Sequence, residues 1–196
     1  MSRKRGNYKV VLLGDTSVGK SCVANRFVND SFFDFQEPTI GAAFMTRNLE
    51  VGKYKIRYEI WDTAGQERYK SLAPMYYRGA MAAVIVYDIT QQDTFKGAKT
   101  WIHEIKTRGR DDCVIALVGN KSDLEQKRKV EKETVYEYVH KEDILYFETS
   151  AKTGDNVEHV FYVIGEKLPK EIEYHSTNIK IDPPVIRNKQ TNSSCC

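Results

Sequence analysis

KVVLLGDTSVGKS, residues 9–21, is the stretch on which the fold turns. Val10 to Leu13 form an unbroken apolar run that reads as a strand. Behind it come glycine, polar residues, a second glycine, lysine and a hydroxyl, in the spacing G-x-x-x-x-G-K-[ST]. Gly14 and Gly19 permit backbone turns that a Cβ would obstruct. Successive N–H groups then point inward at an anion, and the helix that opens behind them adds the positive end of its dipole. Lys20 offers a cation to the outer phosphates, and the Ser21 hydroxyl is a ligand for Mg²⁺. Strand, phosphate loop and helix are thus expected in that order. This stretch by itself leaves open whether the chain is a kinase, an ATPase or a GTPase.

The rest of the chain repeats the alternation. MAAVIVYDI (81–89), CVIALVG (113–119) and ILYFETS (144–150) read as further strands. The first two are nearly continuous apolar runs, as strands buried on both faces of a parallel sheet should be. NLEVGKYKIRYEIW (48–61) alternates on either side of Gly52 and predicts an antiparallel hairpin. Phe95, Ala98, Trp101, Ile102 and Ile105 recur at helical spacing, as do Val157, Val160, Phe161, Ile164 and Leu168 behind Asn156, a candidate cap. Strands alternating with helices predict a three-layer α/β domain whose ligand sits beyond the carboxyl ends of the strands.

Composition narrows the function. A net charge of +3, from 30 basic and 27 acidic residues, is too balanced for a nucleic-acid surface. No apolar run approaches the roughly 20 residues of a membrane span, and the start lacks the apolar core of a signal peptide. A reducing compartment with free cysteines is therefore expected. Cys22 and Cys113, each within an apolar stretch, read as small buried hydrophobes. The histidines and cysteines show no metal-ligand spacing.

GNKSD (119–123) follows another strand end. Guanine presents paired N–H donors on one edge that a carboxylate can accept, and adenine has no such pair there, so Asp123 is a candidate for base selection. Lys121 can lay its aliphatic stem over a base. TSAK (149–152), at a third strand end, offers backbone N–H groups to the guanine carbonyl. N-K-x-D in isolation also fits an Asn–Asp turn; three motifs at three strand ends, in this order, point together to a guanine nucleotide.

GDTSVGKS, PTIG, WDTAGQERY, GNKSD and TSAK stand in the order and spacing of the Ras superfamily. Residues 8 to about 168 resemble a small GTPase of that superfamily, specifically of the Rab family. TIGAAF (39–44) and LAPMYYRGA (72–80) are similar to its early-endosomal branch. The resemblance implies the P-loop GTPase fold: a six-stranded, mostly parallel sheet with one antiparallel edge strand, and five helices. Residues 1–7 would be a short extension, 8–168 the GTP-binding domain, and 169–196 a flexible tail.

The resemblance also implies a set of site residues. Nucleotide contacts fall to Ser17, Val18, Gly19, Lys20, Ser21, Cys22, Phe32, Thr39, Gly65, Asn120, Lys121, Asp123, Ser150, Ala151 and Lys152. Ser21 and Thr39 would ligate Mg²⁺, and Asp62 would hold it through water. Phe33 and Phe35 rival Phe32 as the aromatic beside the nucleotide. Gly65 would reach the γ-phosphate and let its loop move when that phosphate leaves. Gln66 would orient the attacking water as the catalytic residue. Arg68, in the mobile loop, is given no catalytic role, and with no arginine finger in cis hydrolysis should be slow until an activating protein supplies one. Thr16 departs from the glycine of many Ras relatives and predicts reduced speed without loss of activity. Phe44, Trp61 and Tyr76 match an aromatic patch that effectors read; ordinary packing between hairpin and switch would also account for them.

The sequence ends TNSSCC. Cys195 and Cys196 resemble a Rab double-prenylation site, distinct from a C-a-a-X box. Two lipids make an anchor where one binds only marginally. Lys170, Lys180, Arg187 and Lys189 against Glu171, Glu173 and Asp182 make no polybasic patch, so attachment would depend on lipid. About 26 flexible residues reach ~25–30 Å, enough for the domain to stand off a bilayer. The expected protein is a monomer on the cytoplasmic face of endosomal or vesicle membranes, with a cytosolic pool bound to a GDP-dissociation inhibitor. Its expected partners are an exchange factor, an activating protein, an escort protein and membrane-tethering effectors. The competing readings are a scaffold that holds GTP without hydrolysing it and a P-loop metabolic kinase, which would need a second substrate pocket and a lid.

Overall fold

A computed structural model describes residues 5–169; residues 1–4 and 170–196, including Cys195 and Cys196, lie outside the described residues. Six strands run in the order β2-β3-β1-β4-β5-β6. They are β1 (Arg5–Leu13), β2 (Ala42–Val51), β3 (Tyr54–Thr63), β4 (Ala82–Asp88), β5 (Val114–Asn120) and β6 (Leu145–Thr149). β2 pairs antiparallel with β3, and every other pairing is parallel. The five α-helices among the described residues are α1 (Lys20–Asn29), α2 (Ala73–Tyr77), α3 (Gln92–Arg108), α4 (Lys132–Glu142) and α5 (Val157–Lys167). Short 3-10 helices stand at Glu67–Leu72 and Ser122–Lys127.

Side chains alternate across the sheet, and each face builds its own core. Val10, Leu12, Val84 and Val86 pack with Val23 and Phe27 of α1 and Val160, Phe161 and Ile164 of α5. Val11, Leu13, Ile85 and Tyr87 pack on the opposite face with Phe95, Ile102 and Ile105 of α3 and Val135 of α4. Every residue of β4 is buried, the physical counterpart of its continuous apolar run. Tyr58 shows how tightly the first face closes. Its hydroxyl donates to the Phe161 carbonyl at 2.6 Å, and its ring meets the Phe161 ring edge-on at 5.8 Å. Truncating Phe161 to alanine would cost about 3–5 kcal/mol.

The hairpin turns at Gly52, whose φ of 56° suits a residue without Cβ. β2 starts at Ala42, well before the residue 48 that periodicity suggests. It is an edge strand with largely exposed or half-buried side chains, and its first residues, Ala42 to Met45, are apolar without alternating with polar ones, so they carry no strand period. Asn156 does precede α5, but its side chain makes no capping bond. In a left-handed conformation (φ 60°), it donates instead to the Glu148 carbonyl at 2.8 Å and ties α5 to β6. Cys22 and Cys113 are only half-buried, because each sits where its element meets a loop or groove.

Candidate functional site

All parallel strands end on one side, and their loops meet there. The phosphate loop leaves β1 through Gly14, where a Cβ would lie 2.2 Å from the Val86 carbonyl oxygen of β4. Ser17 and Gly19 both take positive φ, 63° and 95°. Alternating backbone hands of this kind turn successive N–H groups toward one point, a nest for an anion at the start of α1. Gly65, after β3, lies against this loop: a Cβ there would stand 2.6 Å from both the Asp15 carbonyl oxygen and Lys20 Nζ.

Lys20 is 5% exposed. Its ammonium donates to the Gly14 and Asp15 carbonyls at 2.9 and 2.8 Å. Burial pushes its pKa down to about 8, with the negative charges of Asp62 and Asp15 opposing. An anion bound in the loop would favour the charged form.

Ser21, Thr39 and Asp62 come together from α1, the 31–40 segment and β3. Ser21 Oγ donates to Asp62 Oδ2 at 2.6 Å and lies 2.9 Å from Thr39 Oγ1, which itself reaches Asp62 Oδ2 at 3.3 Å. Asp62 is 1% exposed, and its Oδ1 is buried with no hydrogen-bond partner. Burial raises its pKa against the hydrogen bonds of Ser21 and Thr39 and the charge of Lys20. An orphaned buried carboxylate oxygen beside two hydroxyls suits a hard dication with oxygen ligands. Among the described residues no cluster of His, Cys, Asp and Glu could cage a metal by itself. This donor set therefore fits Mg²⁺, which keeps waters and shares substrate phosphates.

The two segments expected to read the base are interlocked. Asn120 ends β5 and is 2% exposed. Its Nδ2 donates to the Val18 carbonyl at 2.9 Å, and its Oδ1 accepts from Thr149 Oγ1 at 3.3 Å and Ala151 N at 3.2 Å. Ser150 Oγ donates to Asp123 Oδ1 at 2.6 Å. Lys121 Nζ donates to the Ser17 carbonyl at 2.8 Å and pairs with Asp88 Oδ2 at 2.8 Å.

A cleft of about 430 Å³ runs through these loops. Ser17, Gly19, Lys20, Ser21, Cys22, Phe32, Thr39, Gly65, Gln66, Asn120, Lys121, Asp123, Ala151 and Lys152 line it, together with Thr16. Val18, Asp62 and Ser150 stand behind the lining, all buried. Phe32 packs partly against the core, whereas Phe33 is 60% and Phe35 97% exposed; of the two rivals, only Phe33 also touches the cleft. Phe44, Trp61 and Tyr76 form one aromatic row, with ring centroids 5.3 Å and 5.7 Å apart. Arg68 is exposed, its guanidinium 4.9 Å from the Tyr69 ring centroid. Asp88 was not among the residues expected here. The signal was present as a carboxylate inside the apolar run MAAVIVYDI.

The nested loop, buried lysine and dication-suited cluster at one sheet edge define a P-loop nucleoside-triphosphate-binding protein. The Ras family profile matches residues 9–170, and the chain belongs to that family. Over 190 residues it is 48% identical to the Ras-related protein RABF2b of Arabidopsis thaliana, covering 97% of this chain and 95% of that protein. It is 54% identical over 164 residues to the Ras-related protein RHN1 of Nicotiana plumbaginifolia (84% and 82% covered), and 52% over 164 to the Ras-related protein Rab5 of Nicotiana tabacum (84% and 82%). It is a Rab5-like small GTPase, a GTP hydrolase whose ligands are GTP and GDP. Among the described residues no helix is long and apolar enough to cross a membrane.

Proposed function

We propose that this chain is a membrane-anchored trafficking switch that binds GTP or GDP with Mg²⁺, hydrolyses GTP slowly and recruits tethering effectors to endosomal membranes while GTP is bound. The observation that carries the reading is the Ser21–Thr39–Asp62 contact, because it makes one polar cluster of the phosphate loop, the 31–40 segment and the end of β3. Mg²⁺, when bound, neutralises charge on the phosphates. Ser21 and Thr39 would hold it through their hydroxyl oxygens, and Asp62 would hold it through water. Lys20 and the loop N–H groups hold the β- and γ-phosphates. Asp123 accepts from the guanine edge, Lys121 covers the base, and Ser150, Ala151 and Lys152 close over its carbonyl side.

Gln66 orients the attacking water, and an activating protein supplies the arginine finger. Loss of the γ-phosphate removes the partner of Thr39 and Gly65, and both loops relax. The row Phe44–Trp61–Tyr76 bridges hairpin and switch, so its packing reports that change to an effector. Prenyl groups on Cys195 and Cys196 anchor the GTP form, and a dissociation inhibitor carries the GDP form through the cytosol. An exchange factor resets the switch, and an escort protein presents the tail for prenylation.

The test is threefold. Purified protein should retain GDP and GTP far better than ADP and ATP, and lose that retention when Mg²⁺ is chelated. Gln66→Leu should bind GTP normally while its hydrolysis falls. Cys195→Ser/Cys196→Ser should bind nucleotide normally and leave membranes in cells. Equal retention of ATP would end the switch reading, and membrane attachment without the two thiols would end the lipid one.

A further inference from the structure

We infer that Asp88, at the end of β4, is a positioning residue that holds Lys121 over the nucleotide base and so sets how long a guanine nucleotide stays bound. The inference rests on the reading above that places Lys121 beside the base.

Asp88 is 1% exposed, a depth at which a carboxylate is kept only when it is paired. Its two oxygens do different work. Oδ1 accepts from the Thr90 backbone N–H at 2.8 Å and the Thr90 hydroxyl at 2.7 Å, which fixes the carboxylate plane against the turn into α3. Oδ2 is left for the Lys121 ammonium at 2.8 Å, with a longer contact from Gln91 Nε2 at 3.4 Å. The anchoring and the recognition are thus separate on one side chain.

Lys121 needs such a partner. Its backbone takes φ 69°, a conformation that side-chain-bearing residues rarely adopt. A lysine stem has four rotatable bonds, and its ammonium prefers water. Here the ammonium is drawn inward between Asp88 Oδ2 and the Ser17 carbonyl, 2.8 Å away. Both ends of the stem are then fixed, and the residue between them lines the cleft. Asp88 and Asn120 stand opposite each other in the β4–β5 register, so the carboxylate is held one residue from the lysine it directs. One ammonium therefore joins β4, the phosphate loop and the base-reading segment.

The experiment measures release of a fluorescent GDP analogue, and of GDP and IDP by competition, from the full chain with Mg²⁺. Four forms are compared: wild type, Asp88→Asn, Lys121→Met and the double variant. Asn keeps the acceptor for Thr90 and removes the charge at Oδ2. Asp88→Asn should speed release about tenfold or more, the scale of a lost charged hydrogen bond. Its preference for GDP over IDP, which Asp123 sets, should stay as in wild type. In the Lys121→Met background the same change should add little. Additive effects, or an altered GDP/IDP ratio, would show a general support of the fold and overturn the inference.

Wild-type release rates in Asp88→Asn would overturn it while leaving the guanine reading intact. Equal retention of GDP and ADP by the wild type would sink the guanine reading itself. Where Asp88→Asn alone gives no folded protein, recovery of folding in the double variant supports the pair, because it removes the stranded ammonium. Failure of both forms assigns Asp88 to the fold alone and overturns the inference.

Discussion

Gly19 and Asn120 interlock: a β-carbon on residue 19 would lie 2.4 Å from Asn120 Nδ2. The same amide donates to the Val18 carbonyl at 2.9 Å, so the phosphate loop and the end of β5 are held as one body. The glycine is required twice, by this contact and by its φ of 95°.

Gly19→Ala should therefore lose nucleotide retention and stability together. Strain at a positive φ contributes about 1–3 kcal/mol, and displacing Asn120 also loosens its bonds to Thr149 and Ala151. Thermal unfolding with and without GDP, and the release rate of a fluorescent GDP analogue, check this. Wild-type retention in the alanine form would show that the loop can open without cost.

Thr16 is exposed at the mouth of the cleft that Gly65 and Gln66 also line. On the proposed mechanism, a β-branched side chain there would crowd the space in which a water aligns with Gln66. Thr16→Gly should hydrolyse GTP severalfold faster in a single turnover, within the roughly 100-fold that an ångström-scale misplacement can cost. GDP affinity should hardly move. An unchanged rate would show that Thr16 does not limit water placement.

How much of this was legible beforehand follows the strength of local signals. β1, β4 and β5 are buried on both faces and announce themselves as apolar runs. The phosphate loop is legible because its glycines answer to close approaches that no other residue could make. α4 went unread because its fully buried residues are Val135 and Val139 alone, with Tyr138 packed partly beside them amid mostly exposed charged residues. Asp88 escaped because the pairing that explains it, to Lys121, arises only when β4 and β5 lie side by side. Asn156 was placed at the right position for a wrong reason, since a cap is a local expectation and its tie to Glu148 a tertiary one.

Cys22 lines the cleft and its thiol reaches Gln36 Oε1 at 3.2 Å, whereas Cys113 lies on the far core face, its pKa pushed up by burial to about 11. In a Cys195→Ser/Cys196→Ser background, a maleimide should modify Cys22 after nucleotide is stripped and be slowed at least tenfold by GDP with Mg²⁺. Cys113 should react slowly in both states, since little of it is thiolate near neutral pH. Peptide mapping by mass spectrometry distinguishes the two thiols. Equal labelling of Cys22 with and without GDP would remove it from the site.

Arg128 clamps from behind the two segments proposed to read the base. Its guanidinium grips Glu148 through paired contacts of 2.9 and 2.8 Å, just before Thr149 and Ser150, and also holds Glu125, two residues after Asp123. The hydrogen bond from Arg128, helped by Lys132 and opposed by slight desolvation, lowers the Glu125 pKa from its ordinary 4.5 to about 2. A carboxyl whose folded pKa is depressed contributes stability above its unfolded pKa, and that contribution fades as pH falls. For Glu125 the window runs from 4.5 down to about 2. Wild-type protein should thus lose urea resistance through this window more steeply than Arg128→Gln, in which only Lys132 still lowers the Glu125 pKa. At neutral pH, Arg128→Gln should also release GDP faster, because Asp123 and Ser150 lose their common brace. Urea midpoints at pH 5, 4 and 3 measure the first effect and nucleotide release the second. Parallel pH profiles for the two proteins would show that the clamp leaves Glu125 untouched.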